Sequence, residues 1–224
     1  LVTGPTGSGK TTSLYALIRI INKREVNICT IEDPVEYDLD GINQIQVNSK
    51  TNLTFAAGLK SLLRQDPDIM MVGEIRDEET AGIAVNSAMT GHLVLSTLHT
   101  NDAATALPRL LDMSIEPFLI ASTVNVIIAQ RLIRRICLKC IISYTLTDKE
   151  IDNLKKMVAI EKFLDLDKLK DIRLYKGKGC DKCNNTGYTG RMGIFEVLEV
   201  DDNIRDLITA HADADKIKEQ AQAN

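Results

Sequence analysis

The chain holds 224 residues, 44% hydrophobic and 26% charged, with a formal net charge of −4. That length suits one large α/β domain, or a core domain with a small appendage, and the acidic balance argues against a nucleic-acid binder held by a global basic field. The longest apolar stretch, Phe118 to Ile128, contains Ser122, Thr123 and Asn125 and is too short for a bilayer, so neither a transmembrane segment nor a signal peptide is expected, and a cytoplasmic location is.

The first element is a strand end, Leu1 to Thr3. It feeds directly into Gly4-Pro5-Thr6-Gly7-Ser8-Gly9-Lys10-Thr11, a complete G-x-x-x-x-G-K-[ST] phosphate loop followed by Thr12. Glycines let backbone N–H groups converge on phosphates, Lys10 reaches the β- and γ-phosphates, and the Thr11 hydroxyl is placed to ligate Mg²⁺. The competing reading is a glycine-rich turn that binds nothing. Because a phosphate loop follows a strand and only three residues precede it, a longer parent protein is expected.

Gly9 to Ile21 reads as a helix with Leu14, Leu17, Ile18 and Ile21 on one face, and Asn27 to Ile31 as a β-branched strand. The acidic run Glu32-Asp33-Pro34-Val35-Glu36 follows, a source of outer-sphere Mg²⁺ contacts or simply a solvated loop. Gln44 to Val47 forms a short strand, Thr54 to Arg64 a helix, Ile69 to Val72 a fully apolar strand, Glu78 to Met89 a helix, and His92 to Thr97 a further strand. Such alternation predicts a mostly parallel sheet flanked by helices.

The apolar strand delivers Gly73-Glu74 at its C-terminal end, where open α/β sheets place ligands. Glu74 is therefore the leading candidate to activate or orient water. His92 and His99 flank the next strand, and a histidine bonded to a γ-phosphate would report the nucleotide state; a purely structural role is the alternative. Beyond Asp102 the pattern turns helical, over Ala103 to Leu111 and again from Pro117 to about Ala129. A local basic cluster lies at Arg131, Arg134 and Arg135, and the segment from Asn203 onward reads as amphipathic to polar helix.

Cys137-x-x-Cys140 and Cys180-x-x-Cys183 are separated by 39 residues. Two such pairs complete a tetrahedral Cys₄ zinc site, with Gly179, Gly187 and Gly190 supplying turns and a helix over Ile151 to Phe163 filling the gap. A redox dithiol would need a thioredoxin-like context that the sequence lacks. Cys29, inside a strand, reads as a small buried apolar residue.

These motifs, in this order, resemble the secretion-superfamily traffic ATPases, and most closely the type II secretion and type IV pilus assembly ATPases. The resemblance rests on the blocks Asp66 to Asp77 and Thr90 to Ala103, on Ala129 to Leu132 and on Thr186 to Arg191, and spans nearly the whole chain. It implies a RecA-like phosphate-loop core over residues 1–135, a zinc-binding tetracysteine subdomain over 136–193 and a C-terminal helical segment over 194–224. It further implies ATP and Mg²⁺ as ligands, Glu36 as the acidic-box carboxylate, Glu74 as an atypical Walker B glutamate and His99 as the nucleotide sensor.

Members of that family work as cytoplasmic hexamers docked on an inner-membrane platform protein, and drive pilin or pseudopilin assembly. Retraction ATPases lack the tetracysteine element, which favours assembly over retraction. The family's preceding domain, a source of arginine fingers, has no counterpart here, and the last C-terminal segment reads as shortened, so weak turnover and no stable hexamer are expected of these residues alone. Non-hydrolysing nucleotide-binding scaffolds and nucleic-acid translocases remain alternative classes.

Overall fold

The computed structural model describes residues 1–155 and 173–223. They divide into two compact units, one of Leu1–Arg131 with Gly193–Asn224 and one of Leu132–Met192.

The first unit opens with β1 (Val2–Thr3), α1 (Lys10–Ile21), β2 (Ile28–Glu32), β3 (Asn43–Gln46) and α2 (Phe55–Leu62). It continues through β4 (Ile69–Val72), α3 (Glu78–Met89), β5 (Leu93–Leu98), α4 (Ala106–Asp112), α5 (Pro117–Thr123) and the start of β6 (Val126–Ile136). The second unit holds β7 (Ile141–Thr145), α6 (Asp148–Lys155) and β8 (Arg173–Gly177). The chain then runs through β9 (Tyr188–Glu199) to α7 (Asp202–Thr209) and α8 (Ala214–Ala223). The expected helix over 151–163 is described only as far as Lys155; its remainder lies outside the described residues.

The sheet order is β3-β2-β4-β5-β1-β6-β9, and β1 to β6 pair in parallel. This is the mostly parallel α/β sheet that the alternation predicted. The alternation of side chains along a strand explains why it is buried on both faces. Along β4, Ile69 and Met71 enter one apolar cluster with Leu14, Tyr15 and Ile18 of α1, while Met70 and Val72 enter the other with Phe55, Leu59 and Leu62 of α2. Helix starts are fixed by side-chain caps: the Thr54 hydroxyl accepts the Ala57 N–H at 3.1 Å, and Asp77 Oδ1 accepts the Thr80 N–H at 2.8 Å.

Three expectations need correction. The helix expected over 117–129 ends at Thr123, because Val126 to Ile136 is an 11-residue strand that pairs with β1 through Ile128 and Ala129. Val124, Ile127 and Ile128 satisfy helical and extended burial patterns alike, and strand pairing decided between them. The helical reading of the segment from residue 194 also fails at its start, since β9 continues to Glu199 and two short helices follow. In addition, the helix read over 103–111 begins only at Ala106, with Asp102 Oδ1 accepting from the Thr105 N–H at 2.9 Å ahead of it.

Candidate functional site

Residues 4–9 turn sharply from β1 into α1. Gly4 has φ +143°, and a Cβ built there would fall 2.3 Å from the Gln130 carbonyl oxygen, so only glycine brings the loop this close to β6. Pro5, Thr6 and Gly7 form an exposed tip, while Ser8 and Lys10 are buried. Lys10 curls back: Nζ donates to the Gly4 oxygen at 2.9 Å and the Pro5 oxygen at 3.3 Å. Burial lowers its pKa, and the charge of Glu74 opposes that shift.

Several donors in this loop fit an anion. Helix α1 carries no side-chain cap and no acidic residue in its first turn, so its leading N–H groups and the positive end of its dipole are available. Ser8 Oγ is buried without a hydrogen-bond partner among the described residues. An orphaned hydroxyl, an ammonium and a bare helix N-terminus are donors of the kind that suit a phosphate. Thr11, half-buried, and Thr12, exposed, occupy the first turn.

Glu74 emerges two residues past the end of β4, and the neighbouring strand holds that stretch in place. Ser96 Oγ donates to the Val72 oxygen at 2.8 Å, Thr97 Oγ1 to the Gly73 oxygen at 2.7 Å, and the Ile75 N–H to the Thr97 oxygen at 3.0 Å. The Glu74 side chain is only 12% exposed. Its Oε1 pairs with Arg76, and its Oε2 lies 3.1 Å from His99 Nε2. Arg76 also reaches Asp33 Oδ2 at 3.8 Å, and its pKa is raised, first by the Glu74 hydrogen bond.

Glu74 and His99 are thus brought together. Glu36 is exposed on the loop after β2, and no described hydrogen bond or ion pair joins its carboxylate to Glu74, Arg76 or His99. His92 has a structural place, with Nδ1 2.9 Å from the Ser87 oxygen and 3.1 Å from Thr90 Oγ1 at the end of α3.

Sequence reasoning singled out neither Arg76 nor Gln130. Gln130 is 5% exposed; its Nε2 donates to the Ser8 oxygen at 2.7 Å and its Oε1 accepts from Ser13 Oγ at 2.7 Å, clamping the loop to α1. An amide closing the apolar run Ile127-Ile128-Ala129 was the available signal. Tyr15 was hidden likewise within an apolar helix face. Its pKa is raised by burial and then by Glu32, to whose carboxylate it donates.

In the second unit the four cysteines converge. Their sulfur atoms all lie within 4.8 Å of one another, with Cys137–Cys180 at 3.9 Å, Cys140–Cys183 at 3.8 Å and Cys180–Cys183 at 3.7 Å. A disulfide requires about 2.05 Å, whereas Zn–S bonds of about 2.3 Å in a tetrahedron give S···S edges of about 3.8 Å. The donor set therefore fits a tetrahedral zinc ion. Cys183 Sγ accepts N–H bonds from Cys180 at 3.2 Å and Gly187 at 3.3 Å, and lies 3.2 Å from the Cys180 oxygen. The Thr189 hydroxyl and the Lys139 N–H draw the Cys137 thiol down to about 6.

The glycine turns have positive φ at Gly179, Gly187 and Gly190. Gly177 and Gly187 meet backbone to backbone; a Cβ on Gly177 would lie 2.0 Å from the Gly187 oxygen. Cys29 is buried in β2, as expected.

The type II/IV secretion system protein family matches residues 1–224. The chain is 52% identical over 223 residues to the type II secretion system ATPase E of Vibrio cholerae, covering 100% of this chain and 42% of that protein. It is 50% identical over 221 residues to the type IV pilus assembly ATPase PilB of Myxococcus xanthus, covering 99% and 38%. The chain thus spans about two fifths of the length of these relatives. Among solved structures, the pilus retraction motor PilT with bound ADP matches with TM-score 0.68 and 30% identity over 99% of this chain and 52% of that one. The Legionella pneumophila ATPase DotB matches with TM-score 0.61 and 25% identity, over 99% and 50%. On the match along its full length, this chain belongs to the type II/IV secretion system protein family.

Proposed function

We propose that the first unit is a RecA-like ATPase motor core that powers pilin or pseudopilin assembly. The observation that carries this reading is the meeting of a phosphate cradle with Glu74, whose charge acts on Lys10 and whose carboxylate is held between Arg76 and His99. The bound ADP named for PilT supports nucleotide as the ligand.

In this reading Gly4, Pro5, Thr6, Gly7, Ser8, Gly9, Lys10, Thr11 and Thr12 bind the nucleotide, and the Thr11 hydroxyl would hold Mg²⁺, which would neutralise phosphate charge. Glu74 polarises the attacking water. His99, already bonded to Glu74, couples that carboxylate to the γ-phosphate position. Glu36 approaches the nucleotide from the loop after β2. Catalysis is mainly positioning and charge stabilisation, so residues supplied from outside this chain matter, and turnover by these 224 residues alone is weak.

Cys137, Cys140, Cys180 and Cys183 would hold a structural Zn²⁺, which favours the assembly ATPases over the retraction motors. The working protein is a homohexamer in the cytoplasm, attached to the inner membrane through a platform partner; no helix among the described residues is long and apolar enough to cross a membrane. The test is Mg²⁺-dependent ATP turnover by the full-length assembled protein. Glu74→Gln should cut kcat by about 10²–10⁴-fold with ATP binding retained; unchanged turnover would remove Glu74 from the chemistry.

A further inference from the structure

Helix α1 does more than offer its N-terminus to phosphate. Tyr15, five residues beyond Lys10, is fully buried, and its hydroxyl is a junction of three segments. It donates to Glu32 at the end of β2, accepts from Gln44 Nε2 on β3 at 3.3 Å, and accepts the backbone N–H of Glu36 at 3.4 Å. One turn further along the same face, the Arg19 guanidinium sits 5.4 Å from the centre of the Tyr37 ring, which the Tyr15 ring meets edge-on at 4.8 Å.

The rest of the acidic loop is fastened in the same way. The Val35 N–H donates to Gln46 Oε1 at 3.1 Å and the Leu39 N–H to Gln44 Oε1 at 2.6 Å. Glu32, 2% exposed, anchors the junction, taking the Thr30 hydroxyl at 2.6 Å and Gln44 Nε2 at 3.0 Å besides Tyr15. The loop is therefore gripped by the phosphate-binding helix on one side and by β3 on the other. The Glu36 side chain on this loop is exposed.

We propose that Tyr15 is a positioning residue that ties the Glu36-bearing loop to α1, so that the helix holding the phosphates also sets where Glu36 stands. The inference rests on the role given to Glu36 above. The Tyr15 hydroxyl touches the Glu36 backbone, and it acts through that residue. A displacement of about 1 Å at a catalytic group can cost about 100-fold in rate, which is the scale at issue.

The experiment uses the full-length assembled protein and measures kcat, KM for ATP and melting temperature for Tyr15→Phe, Glu36→Gln and the double variant. Tyr15→Phe should lower kcat tenfold or more with KM within about twofold, and should add no further loss in the Glu36→Gln background. Multiplicative losses in the double variant would show a general structural role and overturn the proposal, as would an unchanged kcat. Should Tyr15→Phe fail to fold because Glu32 loses a donor, Tyr37→Leu loosens the same grip without touching Glu32 and is read by the same criteria. If Glu36→Gln alone leaves turnover intact, the role of Glu36 itself fails; if it lowers turnover while the tyrosine variants keep kcat, only this inference fails.

Discussion

The glycine-rich loop end of the first unit and the tetracysteine unit are built on opposite plans. The phosphate loop is held by the polypeptide alone: Gln130 clamps it, apolar clusters cover both faces of the sheet beneath it, and Ser8 Oγ and the α1 N–H groups are left over for a ligand. The described part of the tetracysteine unit buries few apolar side chains. Among its described residues only Cys137, Ile151, Cys183 and Gly187 are buried, and two of these four are members of the sulfur cluster. One candidate site thus lies on a sheet with apolar clusters of its own, whereas the other would itself supply half of the buried residues described in its unit.

The largest expected effect follows from that contrast. Structural zinc contributes on the order of 10 kcal/mol to the folding of small metal domains. Purified protein should hold about one zinc per chain, the stoichiometry of a Cys₄ site, and a strong chelator should abolish amide protection across Leu132–Met192 while β4 and β5 stay protected. Persistent protection in the stripped unit, or protein purified without metal, would break the comparison.

The next effect sharpens the other side. Lys10→Met should cut turnover by about 10²–10³-fold, the usual cost of losing a charge-stabilising donor. Melting temperature should not fall with it. Burial lowers the Lys10 pKa, so the unfolded chain holds that proton more tightly, and the charged lysine costs stability below its folded pKa, a cost relieved as pH rises through the window towards the unfolded value. Stability lost together with activity would mean that Lys10 serves the fold as well as the phosphates.

Much of this was legible in the sequence, for identifiable reasons. The G-x-x-x-x-G-K-T run and the paired C-x-x-C spacings are local, and so is the apolar run that ends at Glu74. The parallel sheet followed from fully apolar strands alternating with amphipathic helices. What escaped depends on contacts between residues distant in sequence. Gln130 meets Ser8 122 positions away. Arg76 pairs with nearby Glu74, but its second partner, Asp33, comes from the distant end of β2. The first residues of β6, Val126 to Ala129, fit a helix as well as a strand because their apolar positions satisfy both periods, and the partner β1 lies more than a hundred residues upstream.

The smallest expected effect asks whether the rigidity around Glu74 is general or local. Asp77 caps α3, one residue beyond Arg76, through the Thr80 N–H at 2.8 Å and hydroxyl at 3.0 Å. Thr54 caps α2 with a single bond from the Ala57 N–H. Replacing either by Ala should cost about 1 kcal/mol, a melting shift of roughly 2–4 °C in a chain of this size. Turnover should separate the two. Asp77→Ala frees the backbone that carries Arg76 and Glu74, so kcat should fall severalfold, whereas Thr54→Ala should leave it within experimental error. Equal melting shifts with unequal rates would locate the control of Glu74 in the short stretch between β4 and α3. Equal losses of rate would assign it to the stiffness of the whole first unit.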